Sequence, residues 1–202
     1  MANVNKKYLK MVEMAMLLAI VVVLQLVGGF IKFGPFSISL VLIPIVVGSI
    51  LLGAVSGAVL GAVFGIVVLV QCATGVDAGG FILWGINPFL TSLLCVLKGA
   101  AAGFVPGLIY SAMTKKNNEI ITSKATVAAI IASASAPIVN TGLFLLGMFL
   151  LFKDTLVAWS GGQNLLVYII TGLVGINFLI ELVVNTVASP VINTVTKAIR
   201  KK

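Results

Sequence analysis

The sequence predicts an all-α integral membrane protein, a single bundle of six helices with both chain ends on the cytoplasmic side. Three observations carry that reading. The 202 residues are 60% hydrophobic and 9% charged, which leaves too little polar surface to cover a water-soluble globule. The apolar residues gather into runs near the roughly 20 residues that a bilayer crossing needs. Ten of the thirteen basic residues flank those runs: Lys6, Lys7 and Lys10, then Lys115, Lys116 and Lys124, then Lys197, Arg200, Lys201 and Lys202. This is positive-inside placement, so a net charge of +8 points to a membrane and not to nucleic acid.

The first helix covers about residues 8–28. Its apolar stretch from Val12 to Phe30 is longer than a cleavable signal core, and Ala15 and Ala19 fall inside it, so it reads as a retained span. The loop GGFIKFGPFS follows, with glycines and Pro35 as breakers. The second helix, about 38–52, is short for a crossing and is joined by a tight turn to the third, about 55–71. Gly53, Gly57, Gly61 and Gly65 recur there every four residues, a face on which another helix can approach closely; an intramolecular contact is the expected use.

A glycine-rich loop, CATGVDAGGFILWG, carries Asp77 and leads to the fourth helix, about 88–113. The fifth covers about 126–152 and the sixth about 165–198, joined by FKDTLVAWSGGQN. These last three exceed a bilayer crossing and are expected to tilt or kink, with Pro106, Pro137 and Pro190 as kink sites. The whole chain, 1–202, is one membrane domain. Cys72 and Cys95 show no metal-ligand spacing and read as small apolar fillers.

The chemistry available is narrow. There is no histidine, which removes Ser-His catalysis and histidine metal sites together. No phosphate-binding loop occurs, so the chain does not hydrolyse ATP by itself. The five acids, Glu13, Asp77, Glu119, Asp154 and Glu181, are scattered along the sequence. No catalytic residue, metal or cofactor is expected. A transport or binding role is the expectation.

Only Lys98 and Glu181 are charged and deep in the membrane, where an ionisable group facing lipid costs several kcal/mol. Lys98 lies about ten residues along the fourth helix, ~15 Å from its outer end at the helical rise. Asn140 and Asn177 fall at similar depth on the fifth and sixth helices. Glu181 lies about sixteen residues along the sixth helix, ~24 Å deep, on a four-residue stripe with Asn177 and Asn185. Two readings stand: a small-molecule pocket of Lys98, Asn140, Asn177 and Glu181, with Asn87, Trp84 and Trp159 from the outer segments, or polar side chains that only bond helix to helix. Likewise Lys98 has two candidate partners, a substrate carboxylate or Glu181.

The stretch AMLLA in the first helix places Ala15 and Ala19 in an AxxxA pattern, a smooth strip where a helix can pack closely. With six spans and both ends inside, the chain resembles a substrate-binding (S) component of an energy-coupling factor (ECF) vitamin transporter over essentially its whole length. PIVNTGLF and GLVGINFLIELVVN are similar in style to the pantothenate members. The resemblance implies a bacterial cytoplasmic membrane protein that binds a vitamin from outside through its fourth to sixth helices and outer loops. It implies two kinds of partner, a membrane coupling subunit (EcfT-type) docking on Ala15 and Ala19, and two ATPase subunits (EcfA-type). Pantothenate suits a pocket lysine with asparagines; riboflavin, folate and pyrimidine-type precursors remain alternatives within the family. A stand-alone secondary carrier and a non-transport scaffold remain alternatives outside it.

Overall fold

The computed structural model describes residues 6–28, 32–33, 36–37, 40–114 and 122–200. Lys115, Lys116, Lys201 and Lys202, half of the GGFIKFGPFS loop and the expected start of the second helix at 38–39 lie outside the described residues. The elements in chain order are α1 (Lys6–Gly28), β1 (Lys32–Phe33), β2 (Phe36–Ser37), α2 (Leu42–Leu52) and α3 (Ala54–Thr74). There follow α4 (Ala78–Ile86), α5 (Pro88–Thr114), α6 (Thr122–Leu151), α7 (Lys153–Ser160), α8 (Leu165–Tyr168), a π-helical turn (Ile169–Val174) and α9 (Gly175–Arg200). Among the described residues the secondary structure is helical but for the small antiparallel ladder β1–β2, which pairs Lys32 with Ser37.

Among the described residues, four helices are long and apolar enough to cross a membrane, or five if the bent pair Lys153–Ser160 and Leu165–Val174 counts as one span. The chain is a multi-pass membrane protein, but not six straight rods. The second expected span is α2, only 11 residues long. The sixth is broken: α8 and the π turn run to Val174, and α9 starts afresh at Gly175 (φ 37°, ψ −151°). That backbone conformation is closed to residues with a Cβ. The two long polar loops are not loops either, since α4 and α7 form within them.

Local chemistry explains these boundaries. Asp77 caps α4, its Oδ1 accepting the Gly80 N–H at 2.7 Å. Pro88 opens α5 where its missing N–H costs nothing, and Asn87 Oδ1 accepts the Leu90 N–H at 3.0 Å. Gly75 and Gly161 end α3 and α7 in left-handed conformation. Pro106 and Pro137 lie inside α5 and α6 without ending either helix.

The central contact is α3 on α5. A Cβ built on Gly61 would overlap the Gly99 carbonyl oxygen, one on Gly57 that of Gly103, and one on Gly65 that of Cys95. Reciprocally, Gly99 and Gly103 face the carbonyls of Gly61 and Gly57. Two backbones touch here with no side chain between them, the close approach that favours helix pairing in lipid. Ser49 of α2 joins them, donating to the Gly103 carbonyl at 2.6 Å. Gly57, Gly61 and Gly65 thus serve an intramolecular contact. Gly53, first of the series, does not: it is the turn between α2 and α3, at φ 102°.

On α6 the buried face is made of alanine: Ala125, Ala128, Ala129, Ala132 and Ala136 are all at most 2% exposed. The opposite faces of the helices carry large exposed apolar side chains such as Val55, Phe89, Leu150 and Val187. In water such a surface would associate; in a bilayer it meets acyl chains.

Candidate functional site

The position of Lys98 follows from the glycine contact. With Gly99 and Cys95 turned onto α3, residues 94 and 98 point about 100° away around the α5 axis. Leu94 meets Gly147 of α6, where a Cβ would stand 3.0 Å from Leu94 Cδ2. One turn along, the Lys98 ammonium lies over the Phe144 ring, 5.0 Å from its centroid. A cation over an aromatic face gains modestly more where water is excluded.

Asn140 lies one turn from Phe144 and continues the alanine face of α6, and its side chain is 8% exposed. Its Oδ1 is buried without a hydrogen-bond partner among the described residues. Such an acceptor inside a core costs on the order of 1–3 kcal/mol unless something fills it. On α9, Asn177, Glu181, Asn185 and Ser189 fall every four residues, and the last three are buried. The Asn185 amide turns back to the Glu181 carbonyl at 2.8 Å.

These side chains meet in one cavity of about 90 Å³, lined by Lys98, Asn140, Asn177 and Glu181 together. A smaller recess of about 30 Å³ adjoins it and shares Lys98, Phe144, Asp77 and Val68. The main cavity has room for a small solute beyond one or two waters. Four of the seven side chains expected to bind substrate therefore converge.

The other three do not line it. Asn87 is used as the cap of α5. Trp84 packs on the main apolar core beside α3, and Trp159 on a second core of Met148, Phe152, Leu156 and Leu173. The aromatic walls are instead Phe64, Phe144 and Phe178. Ala15 and Ala19 are exposed on α1, away from the cavity.

Sequence reasoning missed Gln25, Asp77 and Thr141, which also line the cavity. Gln25 of α1 and Gln71 of α3 form a buried clasp: Gln25 Nε2 donates to Gln71 Oε1 at 2.7 Å, and Gln71 Nε2 to the Gln25 carbonyl at 3.1 Å. Two glutamines in otherwise apolar helices were the available signal. For Thr141 and Phe144 it was adjacency to Asn140, one residue and one turn away. Cys72 and Cys95 are free and buried, as apolar fillers would be. Among the described residues no group of histidine, cysteine and acids suits a metal ion.

A multi-pass helical protein with a cavity of mixed polar and aromatic lining between its helices has the architecture a membrane solute binder needs. The ECF transporter substrate-specific component family matches residues 9–193, and the chain belongs to that family. Among curated proteins none matches it. Members of the family bind the substrate of a transporter and are not its catalytic subunit; membership implies a small-molecule substrate and association with EcfT- and EcfA-type subunits.

Proposed function

We propose that the chain is the high-affinity vitamin-binding S component of an ECF importer in the bacterial cytoplasmic membrane, and that its vitamin is pantothenate. One observation supports this most: Lys98 shares a cavity with Asn140 and Asn177. A lysine held away from water favours a carboxylate partner, and an incoming carboxylate avoids leaving the charge uncompensated. The two carboxamides suit the amide and hydroxyl groups that follow the carboxylate in pantothenate. Both chain ends are assigned to the cytoplasm by their basic residues. Ala15 and Ala19, exposed on α1, are the docking strip for the coupling subunit, and two ATPases supply the energy.

The deciding experiment is the identity of the molecule retained by freshly purified protein, by denaturing extraction and mass spectrometry, with titration calorimetry across a vitamin panel. Retained pantothenate supports the reading, and retained riboflavin or folate reassigns the substrate. No retained molecule and no binding across the panel favours a scaffold. Uptake that persists in cells lacking the ATPase module would replace the importer with a stand-alone carrier.

A further inference from the structure

The cavity holds more than a lysine and two amides. Glu181, 6% exposed, and Asp77 line the same walls as Lys98. A carboxylate only accepts hydrogen bonds. Asn140 adds a buried Oδ1 with no hydrogen-bond partner among the described residues. One wall, on α5, therefore carries a cation, while α6 and α9 present acceptors. Asp77 receives the Gly80 N–H and is explained as a helix cap; the unfilled acceptor is Asn140 Oδ1, and Glu181 is the buried carboxylate that lines the same cavity.

A ligand that is only a carboxylate would answer Lys98 and leave Asn140 Oδ1 unfilled. A diacid would bring its second anion against Glu181, where like charges at short range disfavour each other. A ligand with a carboxylate at one end and O–H or N–H donors at the other satisfies both walls.

We infer that the site is bipolar: Lys98 on α5 takes the carboxylate, while Asn140 and Glu181 on α6 and α9 take the hydroxyl donors of the opposite end. The site thereby selects hydroxylated mono-acids and rejects both simple acids and diacids. This rests on the pantothenate reading, pantothenate being such a molecule, with a carboxylate at one end, a central amide and two hydroxyls on the far side of that amide. Glu181 and Asn140 are then specificity residues for the donor end, and Lys98 for the acid end.

The test uses the purified full chain in detergent and three probes in titration calorimetry: pantothenate, pantothenol (diol kept, carboxylate reduced to alcohol) and N-(3,3-dimethylbutanoyl)-β-alanine (carboxylate kept, both hydroxyls removed). Each truncated probe is expected to bind the unaltered protein about 10- to 100-fold more weakly than pantothenate, the range for hydrogen bonds to charged groups. Lys98→Met should then weaken pantothenate and N-(3,3-dimethylbutanoyl)-β-alanine but not pantothenol. Glu181→Gln should do the reverse, weakening pantothenate and pantothenol only.

Equal losses for all three probes in Glu181→Gln would make Glu181 a structural residue and overturn the inference, as would no loss at all. If that variant does not fold, the probe series on the unaltered protein still decides: N-(3,3-dimethylbutanoyl)-β-alanine binding as tightly as pantothenate overturns the donor-end assignment. Failure of the unaltered protein to bind pantothenate is a separate result, which refutes the pantothenate reading and removes the inference with it.

Discussion

Replacing Gly61 with alanine adds one methyl group where α3 meets α5. The added Cβ would stand 2.8 Å from the Gly99 carbonyl carbon and 3.3 Å from Ala100 Cα, besides overlapping the Gly99 oxygen. Carbon atoms prefer about 3.5–4.0 Å, so the two helices must part by on the order of 1 Å. The obstacle is backbone and cannot rotate aside. Overpacking of this kind costs about 1–3 kcal/mol, and it also moves the cavity, because Phe64 and Lys98 lie within one turn of the contact. A displacement of ~1 Å at a positioned group can cost about 100-fold in function. Gly142→Ala is the control: it places the same methyl group on a helix where nothing lies within 4 Å. In a detergent thermostability assay Gly61→Ala should unfold several degrees below the unaltered protein and bind vitamin more weakly, while Gly142→Ala should unfold no earlier than the unaltered protein, alanine being the better helix former, and bind as before. Equal behaviour of the two variants would refute the backbone-on-backbone account of the α3–α5 contact.

Three other outcomes are expected. Lys98→Met should reduce affinity for an anionic vitamin by at least about 10-fold, the scale of one charge-assisted hydrogen bond, with an unchanged elution profile; unchanged affinity by calorimetry would make Lys98 structural. Leucine at both Ala15 and Ala19 should block vitamin uptake in cells carrying the complete transporter, yet leave equilibrium binding to the purified chain intact; normal uptake would refute the docking strip. Gln71→Leu removes both hydrogen bonds that Gln71 shares with Gln25 and should destabilise by about 1–3 kcal/mol, whereas Gln25→Leu and Gln71→Leu together should cost less than the sum of the two. Additive losses in that cycle, followed by thermal unfolding, would show the clasp contributes nothing as a pair.

The long helices were legible because lipid imposes a composition: α1, α3, α5 and α6 begin and end within a few residues of their apolar runs. The sixth was misread as one helix because its hydropathy is continuous through ITGLVGINF, while the break lies in the backbone of Gly175. Hydropathy measures side chains and is blind to a φ of 37°. Depth counting found Lys98, Asn140 and Asn177, since residues equally far along neighbouring helices share a level. It said little about which way each faces. Trp84 and Trp159 lie near the right end of the bundle but turn onto apolar cores, and Asn87 is consumed by a helix cap. Gln25 escaped because depth was counted only on the three longest late helices, and α1 reaches the cavity as well.

The small-residue surfaces and the polar cavity are parts of one arrangement. Glycine opposite glycine brings α3 against α5 without intervening side chains, and that contact fixes how α5 is rotated about its axis. With Gly99 turned to α3, Lys98 must turn to α6, and the alanine face of α6 brings that helix near enough for Phe144 to lie beneath the ammonium. Bulkier residues at either seam would change the rotation or the spacing and carry Lys98 toward lipid, where its charge costs several kcal/mol. The lysine is tolerated because the packing around it leaves a cavity and not an acyl chain in front of it. A bundle held together chiefly by close backbone contact can keep its polar side chains for something other than helix pairing. Asn140 illustrates this: its buried oxygen has no hydrogen-bond partner among the described residues, and it faces the same space as Lys98.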